Sequence, residues 1–492
     1  MEWLGHLDAS DYTIAREIIQ RGTAALFVVA FLSTFHQFPA LLGERGLLPV
    51  AAYLARRRPG GTPTLFRLRS VGYTDRRLRV MCVVGMVLGA SVVVGLPQRG
   101  PAWAPIPVFL AMWGLYLSIV AVGQTFYGFG WESMLLEAGF LVGFLGSHAV
   151  APPLLMILFL RWLMLRLEFG AGMIKMRGDP AWRDLTAMDF HHQTQPMPGP
   201  LSRWAHLKPH WWHQGETLGS HVVQLVAPWL LLLAPQPVAS IAACCIILTQ
   251  LALVLTGNYA WLNWLTIVIA CCGISDGFWR WIVGGPWPGW GPGWEGADAV
   301  SSGAPASPVW WHLLVALVVA GLLVLSWKPL KNLVSSHQLM NASFNRWQLV
   351  NAYGAFGSMT RQRREVIIEG TLAEDPAEEG WRPYEFKGKP GDVRRRSRQF
   401  APYHLRLDWM MWFLALGSWN ATWFARLLDA IVDGEAPIRR LLRVDPFDGR
   451  APRRIRVRVF DYRYATRAER RETGQWWMRE EIGTLVRSTD GG

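Results

Sequence analysis

The chain has 492 residues, 51% of them hydrophobic and 17% charged, with a net charge of +13 and a mean hydropathy of +0.17. Soluble chains of this length carry nearer to about a quarter charged residues, which excludes an ordinary water-soluble protein. The basic excess is nearly all arginine and no nucleic-acid motif accompanies it, so it is assigned to lipid headgroups and not to nucleic acid.

Met1–Gln20 is a short amphipathic stretch of mixed charge and does not read as a cleavable signal. Apolar runs follow at Thr23–Leu42, Val80–Leu96, Pro107–Val122, Leu135–Val150, Leu154–Ala171, His221–Leu233, Val238–Leu255, Leu262–Cys272 and Trp311–Trp327. A helix needs about 20 residues to cross the ~30 Å hydrocarbon core. The pattern therefore predicts a polytopic bundle of eight or nine transmembrane helices over residues 1–335, some tilted or broken. Cys82, Cys244, Cys245, Cys271 and Cys272 all fall in these runs, where they read as small buried hydrophobes and exclude a disulfide framework. The loop Gly43–Arg79 carries nine arginines, which the positive-inside rule places in the cytoplasm. With nine spans, the loop Met173–Ser220 and the C-terminal part share its side.

Ionisable residues inside spans default to a function or a packing pair. Glu137 lies in the fourth run and Arg161, Arg166 and Glu168 in the fifth. A hairpin through Ala151–Pro153 predicts a Glu137–Arg161 pair that fixes helix register, with a substrate or proton pathway as the alternative. The polar loop 172–220 is expected to be re-entrant or interfacial. Its histidines are His191, His192, His206, His210 and His213. The His206–His213 spacing suits a metal face on a helix, but Pro209 and the flanking tryptophans argue against a regular helix there. Interfacial aromatics are the preferred reading, with no metal. The Trp-rich run Phe278–Trp294, within the loop 276–308, is read as non-helical because of its Gly and Pro, with its tryptophans at headgroup level. A carbohydrate- or peptide-stacking platform is the alternative.

Residues 340–492 hold 27 Arg or Lys against 20 Asp or Glu. Alternation predicts strands at Gln348–Tyr353, Arg364–Gly370, Trp381–Lys387 and Ile455–Tyr464. Leu405–Leu416 and Trp423–Val432 read as amphipathic helices, and Asp375–Gly380 as a loop. The fold class is thus an α-helical membrane bundle followed by a soluble α+β domain with a mostly antiparallel sheet. The stretch RLDWMMWFLALGSW is apolar enough to dock on the bundle or the membrane. No phosphate loop, G-x-S-x-G elbow or H-E-x-x-H motif occurs, so the C-terminal domain reads as a binding or scaffolding unit.

The segments VGQTFYGFGWESMLLEAGFL, FGAGMIKMRGDPAWRDLTAMDFHHQTQPMPGPLSRWAHLKPHWWH, LTGNYAWLNWLTI, LVNAYGAFGSMTRQRREVIIEGT, FKGKPGD, RQFAPYHLRLDWMMWF and GQWWMRE resemble the lipase maturation factor family, in the same order, from about Gln124 onward. The chain departs from the family pattern in carrying His192 and Gln193 where relatives more often have Tyr and Glu. The resemblance implies a non-enzymatic membrane factor that helps exported proteins such as lipases to fold, assemble or leave the cell. Its partners would be the lipid bilayer and an exported client, and no cofactor is implied. Animal relatives lie in the endoplasmic reticulum with the C-terminal domain in the lumen. Arginine richness fits a high-GC bacterium, so a bacterial inner membrane with the C-terminal domain outside is expected, against the arginine-loop rule. The residues singled out on this basis are Glu132, Glu137, Asp179, Trp182, Arg183, Thr186, His191 and Gln195, then Tyr353, Gly354, Arg406, Asp408 and Trp409.

A shorter stretch, FGAGMIKMRGDPAWRDLTAM, resembles the segment of vitamin K-dependent carboxylases that holds their active-site lysine, with Lys175 at the matching position. The alternative function is a membrane enzyme using Lys175 as base on a lipid, quinone or protein, with Glu137, Asp179 or His191 nearby. A snorkelling lysine at a helix end is the plain reading of the same residue.

Overall fold

The computed structural model describes residues 6–57, 60–68, 70–284, 307–374, 377–417 and 421–488. The first helix, α1 (Thr13–Leu42), begins well before the apolar run and takes in the last eight residues of the stretch read as amphipathic. Arg16, Glu17 and Gln20 are fully buried there. The connection between the fourth and fifth runs holds them: Arg16 Nη1 donates to the carbonyls of Ser147 and Val150, each at 2.7 Å, Gln20 Nε2 donates to Gly146 O at 2.9 Å, and Glu17 meets His148 at 2.8 Å. Polar residues at that point therefore mark a helix end pinned to a loop, not an amphipathic surface.

Further helices follow as α2 (Asp75–Val93), α3 (Pro105–Val120), α4 (Gly130–Val142), α5 (Leu154–Arg177) and α6 (Ala187–Thr194). Next come α7 (His210–Leu225), α8 (Ala227–Leu233), α9 (Val238–Thr256), α10 (Leu262–Ala270), α11 (Asp276–Val283) and α12 (Val309–Val334). By length and composition four helical stretches can cross a membrane: Ser10–Leu42, His210–Leu233, Val238–Thr256 and Val309–Val334. A fifth is available if Leu262–Gly273 and Asp276–Val283, bent by 109°, form one span. The remaining runs fall short for physical reasons. α3 and α4 are only 16 and 13 residues long, α2 opens on Asp75, Arg76 and Arg77, and α5 carries Arg161, Arg166, Glu168 and Lys175.

These short and charged helices are the inner ones. Every residue of α4 except Phe140 is buried, whereas α2, α9 and α12 expose Val80, Val84 and Val87, Ile241 and Leu248, and Leu317 and Val324. An apolar surface of that extent on the outer helices is suited to lipid. The connections gather at two ends. At one, Ala9 N donates to Pro152 O (2.8 Å) and His148 N to Gln98 O (2.9 Å), Thr13 N to Asp276 (2.9 Å) and Gln236 to Gly273 O (2.9 Å). At the other, Arg57 binds Ala121 O (2.8 Å), Gln124 binds Leu48 O (2.8 Å) and Asn258 N binds Met197 O (3.0 Å). All five cysteines are free.

The C-terminal part closes over this second end. Its sheet, β1 (Arg363–Thr371), β2 (Arg382–Tyr384), β3 (Arg454–Tyr464) and β4 (Trp477–Ser488), has the order β2-β1-β3-β4. All pairs are antiparallel, with Val366 opposite Val459 and Val459 opposite Gly483. Helices α13 (Arg406–Ala415) and α14 (Thr422–Val432) match the periodic apolar runs. Three differences from the sequence reading have local causes. Gln348–Tyr353 is not a strand; it has only the isolated bridge Ala342–Ala352, because its alternate polar groups turn into the bundle. Phe278–Val283 is helical, capped by the Ser275 side chain (3.2 Å to Phe278 N) and ended by Gly284 at φ 73°, and residues 285–306 of the Trp-rich loop lie outside the described residues. Strand β4 went unread because its Arg–Glu–Glu run looks solvated when its partners on β3, Arg458 for Glu481 and Tyr462 for Arg479, are not known.

Because Arg406 is the counter-charge to buried Glu132 (2.6 Å), a chain ended at Ser335 is expected to lose cooperative unfolding in detergent. Removing one partner of a buried pair costs about 3–5 kcal/mol. A truncated chain that accumulates and melts like the full one would show that the helices fold without the C-terminal part.

Candidate functional site

Two carboxylates on the buried helix α4 organise the junction between the bundle and the C-terminal part. Glu137 pairs with Arg166, both fully buried and in very close contact. Glu137 Oε2 also accepts from Asn351 N (2.8 Å), Asn351 Nδ2 (3.1 Å) and the Tyr353 hydroxyl (2.8 Å). Arg166 Nη1 donates on to Asn351 O at 2.7 Å. The expected Glu137–Arg161 pair is thus replaced by Glu137–Arg166. Arg161 instead donates to Cys272 O (3.1 Å) and the Tyr12 hydroxyl (2.7 Å). A tight hairpin would have matched 137 with 161. The eleven residues from Gly143 to Pro153 instead let α4 pack on α1 and α3 while α5 packs on α7, α8 and α12.

Glu132, just over one turn earlier, accepts from Arg406 Nη1 at 2.6 Å and from the Tyr116 hydroxyl in a short contact. Arg406 also donates to Phe126 O (2.8 Å) and stacks 3.4 Å from the Tyr127 ring centroid. Gln37 holds the segment leading into α13 at two points, accepting from Arg406 N (2.9 Å) and donating to His404 O (2.6 Å). Trp409 lies on Trp131, ring centroids 4.8 Å apart. Asp408 accepts from Gly388 N at 2.6 Å, and burial pushes its carboxyl up to about 6. Gly354 sits where a Cβ would come within 2.9 Å of Met340.

The loop 172–220 forms the second half of the junction. Asp179 caps the turn Pro180–Arg183 by accepting from Ala181 N (2.9 Å) and also accepts from Arg361 (3.0 Å) and Met359 N (3.2 Å). The Ala181 amide and the Arg361 guanidinium hold its carboxyl below the usual range. Trp182 donates to Phe356 O at 2.7 Å. Gln195 donates to Thr256 O (2.7 Å) and accepts from the Tyr259 hydroxyl (2.6 Å), which lies 2.9 Å from His191 Nε2. Burial pushes the His191 imidazole down to about 3, so the ring is neutral at physiological pH. Thr186 bonds back to Ala181 O (3.4 Å), and Arg183 is exposed.

Lys175 donates to Gln224 (2.9 Å) and Ser220 (3.2 Å) and lies 4.3 Å from the Trp182 ring centroid. Glu137, Asp179 and His191 are each engaged elsewhere, so the structure does not bring them to Lys175. The carboxylate joined to it, through Gln224 (3.3 Å), is Glu168. Residues the sequence reading passed over are Tyr116, Asn351, Tyr259, His404 and the buried triad Arg363–Glu365–Lys389, whose ion pairs are 2.6 and 2.7 Å. Arg363 also donates to Gln193 O at 2.9 Å. Polar residues flanking the singled-out Tyr353 and Arg406 were the available signal.

Above the junction opens a groove of about 700 Å³, lined among others by Tyr53, Arg56, Thr125, Phe129, Phe413 and Arg426. Phe413 is 37% exposed.

Residues 14–281 match the model of the lipase maturation factor transmembrane domain and residues 349–487 that of the lipase maturation factor C-terminal domain. The chain is 37% identical over 514 residues to lipase maturation factor 1 of Bos taurus, covering 97% of this chain and 89% of that protein. The Homo sapiens protein of that name is 36% identical, with 97% and 88% covered. Lipase maturation factor 2 of Gallus gallus is 28% identical, with 95% and 80% covered. These are animal proteins and lend no support to a bacterial inner membrane. No solved structure matches.

Arg166→Met is expected to destabilise the protein by about 3–5 kcal/mol because Glu137 is left charged and buried. The double variant with Glu137→Gln should recover part of that loss. Equal melting of Arg166→Met and wild type in detergent would contradict the assigned role of the pair. Gly178→Ala should be severe as well, since its Cβ would stand 2.0 Å from Gly357 O.

Proposed function

This chain belongs to the lipase maturation factor family, and from that premise we propose that it is a multi-pass membrane factor assisting the folding, assembly or export of an exported lipase or similar client. The names of its relatives support the client class. A membrane unit over 1–335 and a C-terminal unit over 340–492 act together, a division supported by the two family models at 14–281 and 349–487. Nine helical runs alternate between the two ends of the bundle, α1, α2, α3, α4, α5, α7 with α8, α9, α10 and α12; four or five of them are long and apolar enough to cross on their own, and the shorter inner ones complete the bundle between them.

The observation that carries the reading is the groove seated where Arg426 Nη1 binds Leu47 O at 2.9 Å. It joins the C-terminal helices to the arginine-rich loop. Its aromatic floor and its rim of Arg56 and Arg426 suit an extended, partly folded segment with apolar and acidic side chains. We assign client contact to this groove. Glu132, Glu137, Asp179, Trp182, Gln195, Tyr353 and Arg406 hold the platform beneath it, and Lys175 serves as a packed, hydrogen-bonded lysine. The C-terminal face is placed on the side where exported proteins fold.

In cells lacking their own maturation factor, Phe413→Asp and the groove-filling Thr125→Trp should each lower secreted lipase activity about tenfold or more, that is, by at least about 1.4 kcal/mol of lost interaction. The variants should reach wild-type levels in the membrane. Lys175→Gln should retain activity. If Lys175→Gln is inactive at normal abundance while both groove variants work, the reading fails. A C-terminal reporter found active only in the cytoplasm would sink it independently.

A further inference from the structure

Helices α6 and α7 bring two imidazoles and a carboxylate to one point. His192 Nε2 lies 3.2 Å and His213 Nδ1 2.9 Å from the same oxygen, Glu216 Oε2. The three candidate ligand atoms all lie within 4.8 Å of one another. His213 and Glu216 are three residues apart in the first turns of α7 and so share a face. His192 reaches them from the end of α6.

Hydrogen accounting makes the arrangement informative. His213 Nε2 faces a carbonyl oxygen, that of His206, at 3.2 Å, and so carries a ring proton. Nδ1 then meets the Glu216 carboxylate oxygen favourably only with positive charge between them, which a second ring proton or a bound cation supplies. His192 aims a second ring nitrogen at that same oxygen, and its own Nδ1 is buried with no partner. We propose that His192 Nε2, His213 Nδ1 and Glu216 Oε2 bind a divalent cation of the zinc class. Two nitrogens and one oxygen suit zinc, cobalt, nickel or copper and not calcium or magnesium, which take oxygen ligands.

The surroundings fit that assignment. Ligand atoms of a tetrahedral zinc site stand about 3.3–3.6 Å apart, given bonds of about 2.0–2.2 Å, so a small adjustment of the ring pair suffices. The bond from His213 Nε2 to the His206 carbonyl is the outer-shell bond that orients a ligating histidine. Glu216 is 27% exposed at its side chain while both histidines are buried, which supplies an entry path and leaves a coordination position toward solvent. His210 lies on the same helix but points to Asp189 at 2.9 Å, outside the cluster. The ion would clasp the loop 187–206 to the start of α7. It belongs to residues distinct from the Glu132 and Glu137 junction and does not depend on the client assignment.

The test uses the full chain purified in detergent with an affinity tag free of histidine. After loading with zinc and dialysis, elemental analysis should give close to one equivalent, and cobalt substitution should give the visible absorption of a four-coordinate site. His192→Asn and Glu216→Gln should each weaken cobalt binding by more than about 100-fold, beyond the loss from an outer-shell partner. His210→Asn should bind like wild type. Zinc should raise the wild-type melting temperature and leave that of His192→Asn unmoved. A wild-type protein that retains no metal and shows no cobalt spectrum overturns the proposal, as does undiminished binding by the folded His192 or Glu216 variant.

Discussion

Glu137 is a carboxylate in the most buried helix of the bundle, and the fold is arranged around keeping it satisfied. An ionised carboxylate away from water requires a counter-charge and hydrogen bonds to its remaining lone pairs. Arg166 supplies the first, and the second come from Asn351 and Tyr353, beyond the last bundle helix. The bundle therefore cannot complete its own interior. Glu132 repeats the logic with Arg406, so two separate returns of the chain are needed to close one helix. Since α4 is flanked by α1 and α3, error at either carboxylate is transmitted directly to the longest helix of the protein.

That dependence changes the meaning of the C-terminal part. Its composition is that of a soluble domain, yet its first residues and the 404–409 segment lie in the bundle. The polar loop 172–220 is clamped from the same side, with Asp179 holding Arg361 and Arg363 holding the carbonyls of Gln193 and Gln195. The sheet is consequently oriented by buried hydrogen bonds from several elements and not by a linker. Such a base suits the client contact proposed for the groove, because interface geometry is then fixed before binding and less ordering is required on association.

Much of this was legible in sequence where one periodicity governs one element. The apolar runs at Val238–Leu255 and Trp311–Trp327, the helices after Leu405 and Ala421, and the strands at Arg364 and Ile455 all follow from spacing alone. Charged residues in apolar runs marked out Glu137, Arg161 and Arg166, whose side chains the structure places in buried hydrogen bonds. What spacing could not choose was the partner: Arg161 and Arg166 differ by just over one turn, and only the irregular Gly143–Pro153 connection decides between them. The same limit hid His192 with His213 and Glu216. His206 and His213 are nearer in sequence, but the break at Pro209 leaves the His206 carbonyl, not its ring, against His213.

The two ends of the bundle constrain one another in a way that neither charge nor homology does alone. The arginine-rich loop 43–79, the loop 172–220 and the C-terminal part are bonded together, through Arg426 to Leu47 O and Arg363 to Gln193 O among others. They must therefore face the same compartment. The positive-inside bias draws that face toward the cytoplasm, whereas work on exported proteins requires the other side. Both cannot hold. The bias acts through charges near span ends as the chain inserts and is weakened when they lie in longer folded segments. Here part of the arginine set is consumed in structure, Arg57 on Ala121 O and Arg67 on Arg57 O. The groove is built from that very loop, so a cytoplasmic loop would mean a cytoplasmic groove, and the orientation of one short segment decides which proteins the whole face can meet.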